Sequence, residues 1–137
     1  MKNFILILLC LVICGCASVS KTISPNRANL LKLSIGMDKS QALEVMGTKP
    51  FHVMGGTTKF HTYGSSIEID NPYRSEILVG KDDKKFEVIY YVTDVKVDDT
   101  AITDDELTPL VFDNGELVGW GWSFLQDRVQ KYEIRVR

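Results

Sequence analysis

The sequence predicts an α+β domain with two N-terminal helices, a set of antiparallel strands and a C-terminal segment of helical character. Three observations carry this. Apolar residues recur at helical spacing between Asn26 and Gly47. After Pro50 they fall into short strand-like runs. Asn114-Gly115 lies between Leu110-Val111-Phe112 and Leu117-Val118, and both turn residues tolerate the positive φ that a two-residue hairpin demands.

The first segment is not part of that domain. Lys2 precedes an apolar run from Phe4 to Ile13, and small residues follow at Gly15-Cys16-Ala17-Ser18. Ten apolar residues are too few to span a bilayer, which takes about 20. Their length and flanks fit a secretory signal peptide over residues 1–15. Ile13-Cys14-Gly15-Cys16 resembles a lipobox, which makes Cys16 the expected site of lipidation and the first residue of the mature chain. Two or three acyl chains hold a protein on a bilayer, because each buried methylene contributes about 0.8 kcal/mol. Residues 16–25 then read as a lipidated tether and residues 26–137 as one domain.

Within that domain the spacing predicts a first helix over Asn26–Leu33, capped by Asn26. Asp38 and Gln41 stand in the capping-box positions of a second helix, with Met37 and Ala42 in the staple positions. Ala42, Leu43 and Met46 share a face, and Gly47 with Pro50 ends the helix. Strand character follows at Phe51–Val53, Lys59–Tyr63, Ile67–Asp70 and Ile77–Val79, with a turn at Gly55-Gly56. Phe86–Val97 is the longest β-rich run, with apolar residues in both phases, as in a strand buried on one face and partly covered on the other. Trp120 and Trp122 are expected to continue the second hairpin strand on one face, leaving Gly119 and Gly121 as a bare opposite face. Ser123 and Gln126 suggest a capping box for a terminal helix over Phe124–Lys131, and Ile134 and Val136 form an alternating tail.

Charge is unevenly spread. Residues 17–60 carry six basic and two acidic groups, and residues 87–126 carry nine acidic groups against Lys96 alone. The basic part follows the lipid site, where anionic head groups would attract it. Cys10 and Cys14 leave with the signal peptide and the lipid takes Cys16, so the mature chain keeps no thiol for a disulfide, a zinc site or a nucleophile.

Leu33, Ile35, Gly36, Met37, Asp38, Gln41, Ala42, Gly47 and Pro50 follow the opening pattern of the SmpA/OmlA (BamE-like) outer-membrane lipoproteins, and Phe112-Asp113-Asn114-Gly115-Glu116-Leu117 resembles that family's last hairpin. The chain departs from the pattern in having two residues, Thr48 and Lys49, between Gly47 and Pro50, and in a longer Asn71–Glu106 region. The resemblance implies two helices packed on a small antiparallel sheet and a role among outer-membrane assembly proteins.

Catalytic and metal chemistry find little support. His52 and His61 are the only histidines, and no Gly-x-Ser-x-Gly elbow accompanies Ser65 or Ser66. The acidic stretch Asp98–Glu106 matches no EF-hand spacing from either Asp94 or Asp98 and reads as a solvated loop, with Ile102 and Leu107 able to pin its ends. No phosphate-binding glycine loop occurs, and the acidic balance argues against nucleic acid. Neither an enzyme, a cofactor nor a resident metal is expected. Trp120 and Trp122 are the candidate partner-binding residues, since large aromatics anchor interfaces as well as fill cores. The sequence thus points to a lipid-anchored periplasmic adaptor or structural lipoprotein, supporting outer-membrane assembly or envelope integrity through protein contacts. Ala17 after Cys16 carries no inner-membrane retention signal, so the expected site is the outer membrane, facing the periplasm. The alternative is an envelope lipoprotein that binds Ca²⁺ or a lipid head group.

Overall fold

A computed structural model of the chain describes residues 25–54, 66–95 and 101–134. The signal peptide, Cys16, the strand expected at Lys59–Tyr63, His61, Asp98, Asp99 and Val136 lie outside the described residues. The fold is α+β. Helices α1 (Pro25–Leu30) and α2 (Lys39–Met46) precede the strands, and α3 (Trp122–Lys131) follows them. A four-stranded antiparallel meander runs in the order β3 (Arg74–Val79), β4 (Lys85–Val92), β5 (Leu107–Asp113), β6 (Glu116–Trp120). Strands β1 (Phe51–Met54) and β2 (Ser66–Ile69) pair separately, with Phe51 opposite Ile69.

Strand β4 explains the layering. Phe86, Val88, Tyr90 and Val92 join Leu107, Val111 and Leu125 in one buried cluster, while Ile89 and Tyr91 join Leu33, Ala42, Met46, Leu110, Phe112 and Leu117 in another. Alternate residues of a strand point to opposite faces, so apolar side chains in both phases require cover on both faces. Helices α1 and α2 cover one face and α3 the other. The second phase of β4 is therefore buried more completely than the sequence alone suggests.

Helix α2 forms as its local sequence dictates. The Asp38 N–H donates to Gln41 Oε1 at 3.2 Å and closes the capping box. At the other end Gly47 takes φ 82° and its N–H donates to the Leu43 carbonyl. Two turns cannot stand alone, and Ala42 and Met46 are buried against the sheet. Helix α1 ends earlier than expected, at Leu30. Asn26 does not serve as its cap: its amide is buried and donates to Asn71 Oδ1 and to the Val92 carbonyl, both at 2.9 Å.

The Asn114-Gly115 turn has φ of 50° and 85° and joins β5 to β6. A bulge follows, between Val111 and Phe112 in the register, so Leu117 and Trp120 share a face although they are three residues apart. A Cβ at Gly115 would meet nothing within 4 Å, so any cost of substitution there is conformational. Gly115→Val is expected to lower the unfolding free energy by about 1–3 kcal/mol, read as a fall in the urea midpoint; an unchanged midpoint would contradict the turn geometry.

The two sheet edges are treated differently. The chain from Gly36 to Lys39 runs along β6: the Gly36 N–H reaches the Leu117 carbonyl, the Leu117 N–H reaches the Met37 carbonyl and the Lys39 N–H reaches the Gly115 carbonyl, each at 2.8 Å. Edge β6 is thus covered. Among the described residues β3 has β4 as its one neighbouring strand, and its other side is open.

Strand β6 stops at Trp120, which corrects the expected pairing of the tryptophans. Gly121 takes φ 90°, its N–H reaches the Pro109 carbonyl, and Trp122 begins α3. Trp120 packs against the cluster beneath α1 and α2, and Trp122 against the cluster beneath α3, so the sheet separates them. Gly121, not Ser123, precedes the helix, and the Ser123–Gln126 capping box is not formed. Nor is the glycine face bare at Gly119, although a Cβ on Gly121 would meet nothing within 4 Å. A Cβ on Gly119 would lie 2.6 Å from the Phe124 ring, so α3 itself occupies the space that glycine leaves.

Candidate functional site

The edge of β3 that the described residues leave open and the flank of α3 form a groove. Arg74, Glu76 and Leu78 alternate along β3 and stand opposite Tyr90, Val88 and Phe86 of β4, on the face that α3 covers. Trp122, Leu125, Gln126, Val129 and Gln130 line the α3 side. Because α3 rests over β5 and β6, the strip above β3 stays open as a cleft of about 440 Å³. This is a trough in which apolar walls and convergent polar side chains alternate, a constitution suited to binding.

Its polar groups are organised around Tyr90. The phenol donates to Glu76 Oε1 in a short hydrogen bond. The Arg74 guanidinium sits 4.1 Å above the Tyr90 ring and donates from Nη2 to Asp104 Oδ1 at 3.0 Å. The Trp122 indole lies 5.7 Å from the Tyr90 ring, and its Nε1 donates to the carbonyls of Leu107 at 2.8 Å and Asp104 at 3.0 Å. Burial pushes the Tyr90 phenol well above its ordinary range, and the hydrogen bond and charge of Glu76 push the same way, so it remains a neutral donor. The Arg74–Asp104 pair is open to solvent and contributes about 0–1 kcal/mol; a ligand can displace it at little cost.

On the opposite phase of β3, Ile77 and Val79 are 59% and 47% exposed. An open edge strand that also presents aliphatic side chains is a template for pairing with another strand. Strand β3 thus presents Arg74, Glu76 and Leu78 to the groove and Ile77 and Val79 to the other face of the sheet.

The sequence profile of the family described as "Protein of unknown function (DUF3192)" matches residues 18–127. The chain belongs to DUF3192. No curated protein and no solved structure matches it.

In this DUF3192 protein the two residues singled out from sequence part company: Trp122 walls the groove and Trp120 does not reach it. His52 is on β1, exposed beside Glu68 at 3.3 Å. The acidic stretch is not uniformly solvated. Glu106 is buried, accepting from Thr103 N–H at 2.8 Å and from Thr103 Oγ1 at 3.0 Å, and Thr103 Oγ1 also lies 2.5 Å from Asp105 Oδ1. These carboxylates are committed to capping a 3₁₀ turn at Asp104–Glu106, and Ile102 and Leu107 anchor it to the core. Among the described residues no cluster of three or more His, Cys, Asp or Glu is arranged to hold a metal ion.

One buried hydroxyl of the DUF3192 domain has no partner among the described residues. Tyr91 is fully buried beneath α1 and α2, and its hydroxyl has no hydrogen-bond partner among the described residues. Burial pushes its pKa from 10 up to about 12. The folded protein therefore keeps a proton that the unfolded chain releases. That contribution is complete below pH 10 and is lost as pH rises to 12. Tyr91→Phe is expected to raise stability at neutral pH by about 1–3 kcal/mol, the cost of an unsatisfied buried polar group, and to flatten the alkaline limb of the stability–pH curve. A variant less stable than wild type at pH 7 would contradict this.

Proposed function

We propose that this DUF3192 protein is a lipid-anchored envelope adaptor, attached to the outer membrane through Cys16, which holds an extended segment of a partner protein along β3 in the groove under α3. The observation that carries the reading is the combination of an open strand edge with a flanking helix. Strand addition draws affinity from main-chain hydrogen bonds and specificity from pockets for alternate side chains. Here β3 offers the main-chain groups, and Tyr90, Trp122, Leu125 and Val129 offer the pocket. Lipidation is supported by the lipobox Ile13-Cys14-Gly15-Cys16 and by the apolar run before it. The resemblance of Leu33–Pro50 to SmpA/OmlA lipoproteins supports a partner among outer-membrane assembly proteins.

Fractionation of cells expressing wild type and Cys16→Ser tests the anchoring. Wild type is expected in the outer-membrane fraction at the processed mass, and the variant in the soluble fraction or unprocessed. A variant that remains in the outer membrane at the mass of the wild type would contradict anchoring at Cys16.

A further inference from the structure

The two most exposed large aliphatic side chains among the described residues are Leu31 at 89% and Ile35 at 63%. They close α1 and form the turn that leads to α2. Helix α1 turns Asn26 and Leu30 inward, and Leu33 continues the same side into the core. Arg27 and Leu31, one turn apart, are left on the outward side. Lys32 is also exposed, and its ammonium donates to the neutral Asn29 Oδ1 at 2.8 Å. Neither Arg27 nor Lys32 pairs with a carboxylate among the described residues. Two aliphatic side chains flanked by two cations that meet no carboxylate among the described residues suit the boundary between lipid head groups and acyl chains, where apolar groups are buried and cations meet phosphates.

The position of this corner in the chain says what covers it. Eight residues separate Cys16 from Pro25, and eight residues span at most about 30 Å. A domain lipidated at Cys16 therefore keeps α1 within reach of the bilayer. We propose that the α1 corner docks on that bilayer, with Leu31 and Ile35 entering the apolar boundary and Arg27 and Lys32 meeting anionic lipid phosphates. The inference rests on lipidation at Cys16. It also orients the groove. The Gly36–Lys39 segment ties the corner to β6, and β3 lies three strand spacings away, about 14 Å. Docking at α1 sets the open β3 edge on the side of the sheet remote from this corner.

The test uses the full chain, lipidated in cells and reconstituted in vesicles of phosphatidylethanolamine with phosphatidylglycerol. An environment-sensitive dye is placed by Leu31→Cys, Ile35→Cys or, at the remote edge, Ile77→Cys. With Cys16 alkylated and the leader removed, the introduced thiol is the one the dye reaches. Dyes at 31 and 35 are expected to shift to the blue and to be quenched several-fold more by a lipid-borne quencher than the dye at 77. Arg27→Glu with Lys32→Glu is expected to abolish most of that difference. Dyes at 31 and 35 as exposed as the dye at 77, on a chain that floats with the vesicles, would overturn the docking and leave the anchor standing. A chain that does not float with the vesicles would overturn the anchor and the docking together.

Discussion

Phe112→Ala is expected to cost about 3–5 kcal/mol, the largest loss of stability of any substitution considered for this domain. Phe112 is 1% exposed and lies where α2 meets the sheet, in the cluster that holds Leu33, Ala42, Met46, Leu110 and Leu117. Three features make the loss large. The ring is enclosed by the N-terminal helical segment on one side and by β4, β5 and β6 on the other, so the cavity cannot collapse by moving one of them. Helix α2 is too short to persist without its packing. The described residues contain no cysteine, so no disulfide holds them together. A domain of this size has about 5–15 kcal/mol of stability in all, so such a variant gives up a large share of it. Urea titration of wild type and variant reads the difference. A loss below about 1 kcal/mol would mean that Phe112 is not enclosed as described.

Ile77→Lys is expected to reduce partner association at least about ten-fold while leaving the fold intact. A charged residue on an open edge opposes the addition of a further strand, and ten-fold corresponds to about 1.4 kcal/mol. The side chain is 59% exposed and buried in neither core cluster, so its replacement should change stability by no more than about 0.5 kcal/mol. Trp122→Ala should also weaken association, but it removes a ring packed on Tyr90 and two hydrogen bonds to backbone carbonyls, so its effect on binding is mixed with an effect on folding. Ile77→Lys separates the two. Equal partner association by wild type and Ile77→Lys would rule the β3 edge out.

What the sequence revealed follows from how local the causes are. The α2 capping box, the Gly47 stop and the Asn114-Gly115 turn are set by residues within four positions of one another, and each forms as read. The tryptophan pair misled because apolar residues at i and i+2 fit a continuing strand as well as a strand that ends at a positive-φ glycine before a helix. Gly121 decided between these, and its conformation depends on the docking of α3 over β5. The Thr103-x-x-Glu106 pattern is itself a capping-box signature and could have marked Glu106 as structural; its place within a run of acids hid it. The groove was the least legible feature. Arg74 and Glu76 precede the apolar Ile77 to Val79 and look like loop residues after Asn71-Pro72. Their role depends on the register that sets Arg74 opposite Tyr90, a pairing across 16 residues that no local pattern encodes.

The most direct test of strand addition at β3 is site-specific photo-crosslinking in intact cells, with a photoreactive amino acid replacing Ile77 and, as a control, Glu116 at the tip of the covered β5–β6 hairpin. The account predicts a discrete heteromeric adduct from position 77 that is absent from position 116, and that is lost when a lysine replaces the neighbouring aliphatic in Val79→Lys. A position-77 probe that gives only uncrosslinked chain, the same adducts as position 116, or an adduct of two copies of this chain would contradict it.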